Sequence, residues 1–211
     1  MRVLGVDPGL VRTGWALATA GAGGTTLLDA GLIAPDPAAP LEARLAEGFA
    51  AFAAVLAAQQ PDLVVLEDIF TAPAHPKSAL LMAHMRGVLC LAVQQHGAAL
   101  RSLTASTVKQ RLTGNGRASK AQVRGMVFQL CRLPPQRLRA DVTDALALAI
   151  AGLSQEGRDR QAVAGAAPRR AAARRAALVA HLGLEAVAGG PPRDDAALLA
   201  LRLGRARRKR A

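Results

Sequence analysis

Residues 2–9 read RVLGVDPG. Val3, Leu4 and Val6 require a dry core, yet Asp7 follows at once and requires water or a cation. Pro8-Gly9 then ends the run. A hydrophobic strand that passes straight into a carboxylate delivers that carboxylate to the edge of a sheet. Outward from this point, TGWALATA (13–20) reads as a second strand, and Gly9, Gly14 and the turn between them form a hairpin. TTLLDAGLIA (25–34) alternates as a third strand, and Pro35, Pro37 and Pro40 close the meander. LEARLAEGFAAFAAVLAAQQ (41–60) has helical periodicity and strong helix formers, with Pro61 as its stop. DLVVLED (62–68) is short and almost continuously apolar, as a strand buried on both faces should be.

The second half alternates. SALLMAHMRGVLCLAVQQHG (78–97) predicts a long helix whose apolar residues cover more than one stripe, so that a second face needs a partner, either in the monomer or in a second copy. ALRSLT (99–104) is a fifth strand. Ser106 or Thr107 can cap a short helix through VKQRL, and TGNGRASK (113–120) is a Gly-rich basic loop. Helices follow over 119–133, stopped by Pro134-Pro135, and over 140–154. Three strands, then alternating helix and strand, predict an α/β fold. Its central sheet is mixed, a three-stranded antiparallel meander joined by parallel strands, with helices flanking it.

The chain has 211 residues, 51% of them hydrophobic, enough for one ordinary domain with a real core and something left over. Aromatics are 2% and Tyr is absent, so aliphatic and Ala packing builds that core. The formal net charge of +12 favours polyanionic partners, nucleic acid or an acidic membrane surface. Residues 1–154 read as the folded domain. Residues 155–211 carry 13 Lys and Arg against 5 Asp and Glu, mostly among Arg, Ala and Gly, and read as a solvated, largely disordered extension suited to tethering nucleic acid. Cys90 and Cys131 sit among apolar neighbours as reduced, buried thiols, and no Cys/His pattern fits zinc. The start lacks a signal region and no apolar run reaches the roughly 20 residues that span a bilayer, so a cytoplasmic protein without membrane contact is expected.

Only ten acidic residues precede position 155, so their placement is informative. Asp7 and Glu67 end two hydrophobic strands. Asp141 and Asp144 lie three apart at the start of the last helix, on one face, where the helix dipole favours negative charge. Strand ends in such sheets converge on one ligand-binding edge. Clustered bare carboxylates would cost several kcal/mol each, and Mg²⁺, a hard cation that prefers oxygen, removes that cost. Two ions roughly 4 Å apart can hydrolyse a phosphodiester. Each acid taken singly also reads as a turn residue or a cap.

LGVDPGLVRTGWA, VVLEDIF, SALLMAHMRGV, STVKQRLTGNGRASKAQVRGMV and ADVTDALALAIA, in that order, resemble the motifs of the RuvC family of Holliday-junction resolvases over about residues 1–154. The resemblance implies an RNase H-like fold, a homodimer paired through the 78–97 helix, and cleavage of four-way DNA junctions with two Mg²⁺ ions (or Mn²⁺). It implies catalytic, metal-holding carboxylates at Asp7, Glu67, Asp141 and Asp144, and junction-contacting Lys109 and Lys120. Phe70 falls on the family's aromatic position, and the RuvA–RuvB branch-migration machinery is the implied partner. Arg117 beside Lys120 adds a further DNA-binding cation, and an exposed Phe70 could stack on unpaired bases. The sequence departs from the family at Asp68, in the 71–79 loop, at Leu81, Ala83 and His84, and in its long tail. Three other readings stay open. Asp7, Gly9, Thr13 and Gly14 also suit the ATP-binding actin and sugar-kinase group, a RuvC-like family trims ribosomal RNA precursors, and a basic DNA-binding protein could lack catalysis.

Overall fold

In the computed structural model, residues 1–21, 24–68, 76–134 and 138–163 are described, without the side chains of 76–78 and 155–163. The strands are β1 (Arg2–Asp7), β2 (Thr13–Gly21), β3 (Gly24–Ile33), β4 (Leu63–Glu67) and β5 (Ala99–Leu103). The helices are α1 (Leu41–Gln59), α2 (Pro76–His96), α3 (Ala105–Thr113), α4 (Lys120–Leu130) and α5 (Ala140–Val163). The sheet order is β3-β2-β1-β4-β5. β1 pairs antiparallel with β2 and β2 with β3, whereas β4 runs parallel to both β1 and β5. This is the mixed sheet that the sequence predicts.

Side chains alternate across a strand, and the sheet has a core on each face. Leu4, Val6, Leu17, Val64 and Leu66 pack with Phe52 and Leu56 of α1 and with Met85 and Leu89 of α2. Val3, Ala16, Leu63 and Val65 pack on the other face with residues of α3, α4 and α5. Asp7 shares the alternation of Val3 and Gly5, and Glu67 that of Leu63 and Val65. Both carboxylates therefore project on the α5 face.

Glycines decide how close α5 lies. A Cβ on Gly5 would run into the backbone of Ala145 and Ala149, and one on Gly14 into the carbonyl of Asp141. Gly152 faces Val65 and Val3 in turn. The helix thus lies directly on β1, β2 and β4, with its amino-terminal end beside the ends of β1 and β4. It continues to Val163, past the Ser154 at which the sequence predicts its end. Residues 1–164 form one compact unit. Residues 165–211, most of the basic extension, lie outside the described residues.

Three details differ from expectation. Thr104, not Ser106 or Thr107, caps α3, its hydroxyl accepting from the Thr107 N–H. Lys109 consequently falls beyond the first turn, past the free backbone N–H groups of the helix start. Cys131 is buried, and burial pushes its thiol up to about 11, but Cys90 is only half-buried. Among the described residues no helix is long and apolar enough to cross a membrane.

Candidate active site

The turn after β1 is tied down by one hydroxyl. Thr13 is fully buried, donates to the Gly9 carbonyl at 2.9 Å and accepts from the Gly9 N–H at 3.2 Å. Asp7 pairs with Gly14 across the hairpin, and Val6 lies level with Leu66 on parallel β4. The next step along each of those strands is Asp7 and Glu67, which brings the two carboxyls side by side.

A cavity of about 300 Å³ opens at this edge. Asp7, Glu67, Asp144, Lys109 and Lys120 line it, with Met82, Val108, Val123 and Leu148 among its apolar walls. Burial pushes Asp7 up to about 8; the Glu67 charge, a hydrogen bond shared with Glu67, and the charges of Asp144 and Asp141 push the same way. Asp144 is raised by burial and by Asp141, against the pull of Lys120 and Arg124. Its Oδ2 lies 3.7 Å from Lys120 Nζ, whose side chain is 90% exposed.

The basic segment is shaped by its own side chains. Ser119 caps α4 in a reciprocal capping box with Gln122, which starts the helix at Lys120. Gln110 spans the preceding loop, its amide donating to the Gly114 carbonyl and its carbonyl accepting from the Gly116 N–H, both at 2.8 Å. Gly114 has φ 76°, a left-handed conformation that costs glycine little.

Of the residues expected at the site, Asp7, Glu67, Asp144, Lys109 and Lys120 share the cavity. Asp141 does not line it but acts on Asp7 and Asp144 through its charge. Arg117 is exposed on the loop and does not line the cavity. Phe70 and the 71–75 loop lie outside the described residues. Arg111 donates to the Ala151 carbonyl at 3.2 Å and so ties α3 to α5. Two cations were missed. Arg124 stands over the Phe128 ring, 5.3 Å from its centroid, and acts on Asp144; its spacing of four from Lys120 was a usable signal. Arg86 of α2 reaches the end of β4, which no local pattern foretold.

Among the described residues no three His, Cys, Asp or Glu side chains form a ready-made metal cage. The acids are a contacting pair plus Asp144, which leans on Lys120. The donor set is nonetheless all carboxylate oxygen, half-buried and mutually repelling. That chemistry fits a hard divalent cation, whose charge would relieve the repulsion.

The family model described as "Crossover junction endodeoxyribonuclease RuvC" matches residues 3–152. A protein of that name from Rhodopirellula baltica is 37% identical over 150 residues, 71% of this chain and 84% of the relative. Its namesake from Neorickettsia sennetsu is 40% identical over 148 residues, 69% of this chain and 89% of the relative. The solved structure of Thermus thermophilus RuvC in complex with a Holliday junction substrate superposes with a TM-score of 0.69 at 26% identity, covering 75% of this chain and 96% of that one.

Proposed function

The chain belongs to the RuvC family of crossover junction endodeoxyribonucleases, with an RNase H-like fold, and from that membership we propose how it resolves four-way DNA junctions. The protein is a structure-selective endonuclease that hydrolyses phosphodiesters in recombination and repair. Family membership sets aside the kinase and ribosomal RNA readings. The observation that carries the reading is the contact of Asp7 with Glu67 at one sheet edge, with Asp144, Lys109 and Lys120 around the same cavity.

The family's nucleases are metal-dependent, and Mg²⁺ or Mn²⁺, as two ions, is the cofactor that this donor set suits. Asp7, Glu67 and Asp144 would hold it, with Asp141 adding charge from outside the cavity wall. When bound, the metal lowers the pKa of water and stabilises negative charge on phosphate oxygens. Lys120 projects its ammonium into solvent beside Asp144, where a phosphate oxygen of the scissile group can take its charge. Lys109, which lines the same cavity, adds a second cation. Arg117 on the Gly-rich loop extends the basic surface along the DNA backbone, and Phe70 stacks on unpaired bases. Val108 and Leu148 give the cavity apolar walls beside the carboxylates, which strengthens the charge interactions there.

A homodimer supplies two such centres for paired nicks. The outward face of α2 leaves Leu80 61% exposed and Leu91 53% exposed, and a second copy would cover both. Residues 1–154 form the nuclease domain and the basic 155–211 segment a tether to DNA. The RuvA–RuvB complex supplies the junction, in the cytoplasm.

One gel tests the reading. A synthetic four-way junction and an equal-length duplex are incubated with and without Mg²⁺ or Mn²⁺. The junction alone should be cut, symmetrically and only with metal. Asp7→Asn should cut at least about a thousandfold more slowly while still binding the junction. Equal cutting of duplex, or normal cutting by the variant, would exclude the reading.

A further inference from the structure

Arg86 stands outside the acidic cluster, yet its guanidinium gathers three groups from two strand ends. Nε donates to the backbone carbonyl of Glu67 at 3.1 Å. Nη2 donates to the Ser102 hydroxyl and lies 3.3 Å from Asp68 Oδ1. The Asp68 N–H in turn donates to the Leu103 carbonyl at 2.8 Å. Helix α2 is thereby fastened to the ends of β4 and β5 at the point where β4 leaves the sheet. One helical turn earlier, Met82 of the same helix lines the cavity.

We infer that Arg86 is a positioning residue for Glu67, a latch that holds the end of β4 so that the Glu67 carboxylate faces Asp7 and a divalent cation. The inference rests on the proposed role of Glu67 as a metal-holding carboxylate.

The chemistry of the contacts supports a geometric role over a stabilising one. Asp68 is 49% exposed, and an ion pair so open to water contributes little to folding. A strand end, in contrast, frays unless something outside the ladder holds it. A planar guanidinium can meet a carbonyl, a hydroxyl and a carboxylate together in fixed directions. An ammonium on a flexible stem has one nitrogen and cannot reproduce that fork. Partners that hydrogen-bond a metal ligand typically change metal affinity by roughly 10–100-fold when removed, and Arg86, acting one step further back through the Glu67 carbonyl, falls at the low end. Asp68 gives the guanidinium a charged third partner.

The test uses the full chain, with Arg86→Gln and Arg86→Lys. Mn²⁺ binding is measured by calorimetry without DNA, junction binding without metal, and single-turnover cleavage with Mn²⁺. Both variants should bind Mn²⁺ roughly tenfold more weakly and cleave more slowly at low Mn²⁺, with saturating Mn²⁺ recovering most of the rate. Junction affinity should stay within about twofold for Arg86→Lys, which keeps the charge. If Arg86→Gln fails to fold, Arg86→Lys decides alone, since it keeps the stem and the charge. Wild-type Mn²⁺ affinity in Arg86→Lys would overturn the latch, as would a rate loss that saturating Mn²⁺ leaves untouched. A wild-type chain that binds Mn²⁺ but leaves junctions whole would defeat the proposed function, and the Mn²⁺ isotherms would still decide the latch.

Discussion

Asp7 sits where the core and the solvent make opposite demands. The folded, metal-free protein holds its carboxyl up to about 8, chiefly by burial and next by the Glu67 charge, against an ordinary 3.8. Between those values the folded state binds more protons at this site than the unfolded state does. Stability is therefore fullest below about pH 4 as far as Asp7 is concerned, and falls as pH rises through the window to about 8. In metal-free buffer Asp7→Asn should raise Tm at pH 8.5 by a few degrees and change it much less at pH 5. At about 2–4 °C per kcal/mol for a domain of this size, a melt resolves that difference. Adding Mn²⁺ should stabilise the wild type at pH 8.5 and leave the Asn variant largely unmoved. Equal Mn²⁺ effects on both would remove Asp7 from the ligand set.

At the scale of elements, the site exists because α5 can touch the sheet. Gly5→Ala places a methyl against the backbone of Ala145 and Ala149, which cannot rotate away as a side chain would. The helix must lift, and a loss of about 1–3 kcal/mol or more is expected. Gly125 is the counterexample. It lies inside α4 with open space where its Cβ would be. Gly125→Ala should stabilise by roughly 0.5–1 kcal/mol, since only the helical entropy term remains. Urea unfolding of the two variants side by side checks both signs; destabilisation by Gly125→Ala, or tolerance of Gly5→Ala, would contradict this packing. Helix α2 shows the opposite arrangement, with Met85, Leu89 and Val93 buried and Leu80, Leu81 and Leu91 left outside. Its sequence said only that one face was too few.

For the whole molecule, the exposed α2 face and the basic tail predict separate behaviours. Leu80→Asp combined with Leu91→Asp should convert a dimer to a monomer in light scattering and abolish paired nicking. Folding should persist, because neither side chain packs in the monomer core. A wild-type chain that scatters as a monomer at cleavage concentrations would reject the pairing. Ending the chain after residue 164 should weaken junction binding at low salt and flatten the salt dependence, since each lost phosphate contact reduces the slope by about 0.9. An unchanged slope would deny the tether.

Much of this was written locally in the chain. The carboxylate at the end of RVLGVD, the second at the end of LVVLE, the turn residues and the capping Ser119 all follow from neighbours a few positions away. Two-residue alternation puts Asp7 on the face of Val3 and Gly5 and Glu67 on that of Leu63 and Val65; the pairing of the strands then makes these one face. Tertiary structure alone decided which strands lie side by side, how near α5 comes over Gly5 and Gly14, and that Arg86 closes on the carbonyl of Glu67. Strand and helix preferences are carried by adjacent residues. A contact between distant ones depends on register and on backbone approach, which only the packed molecule sets.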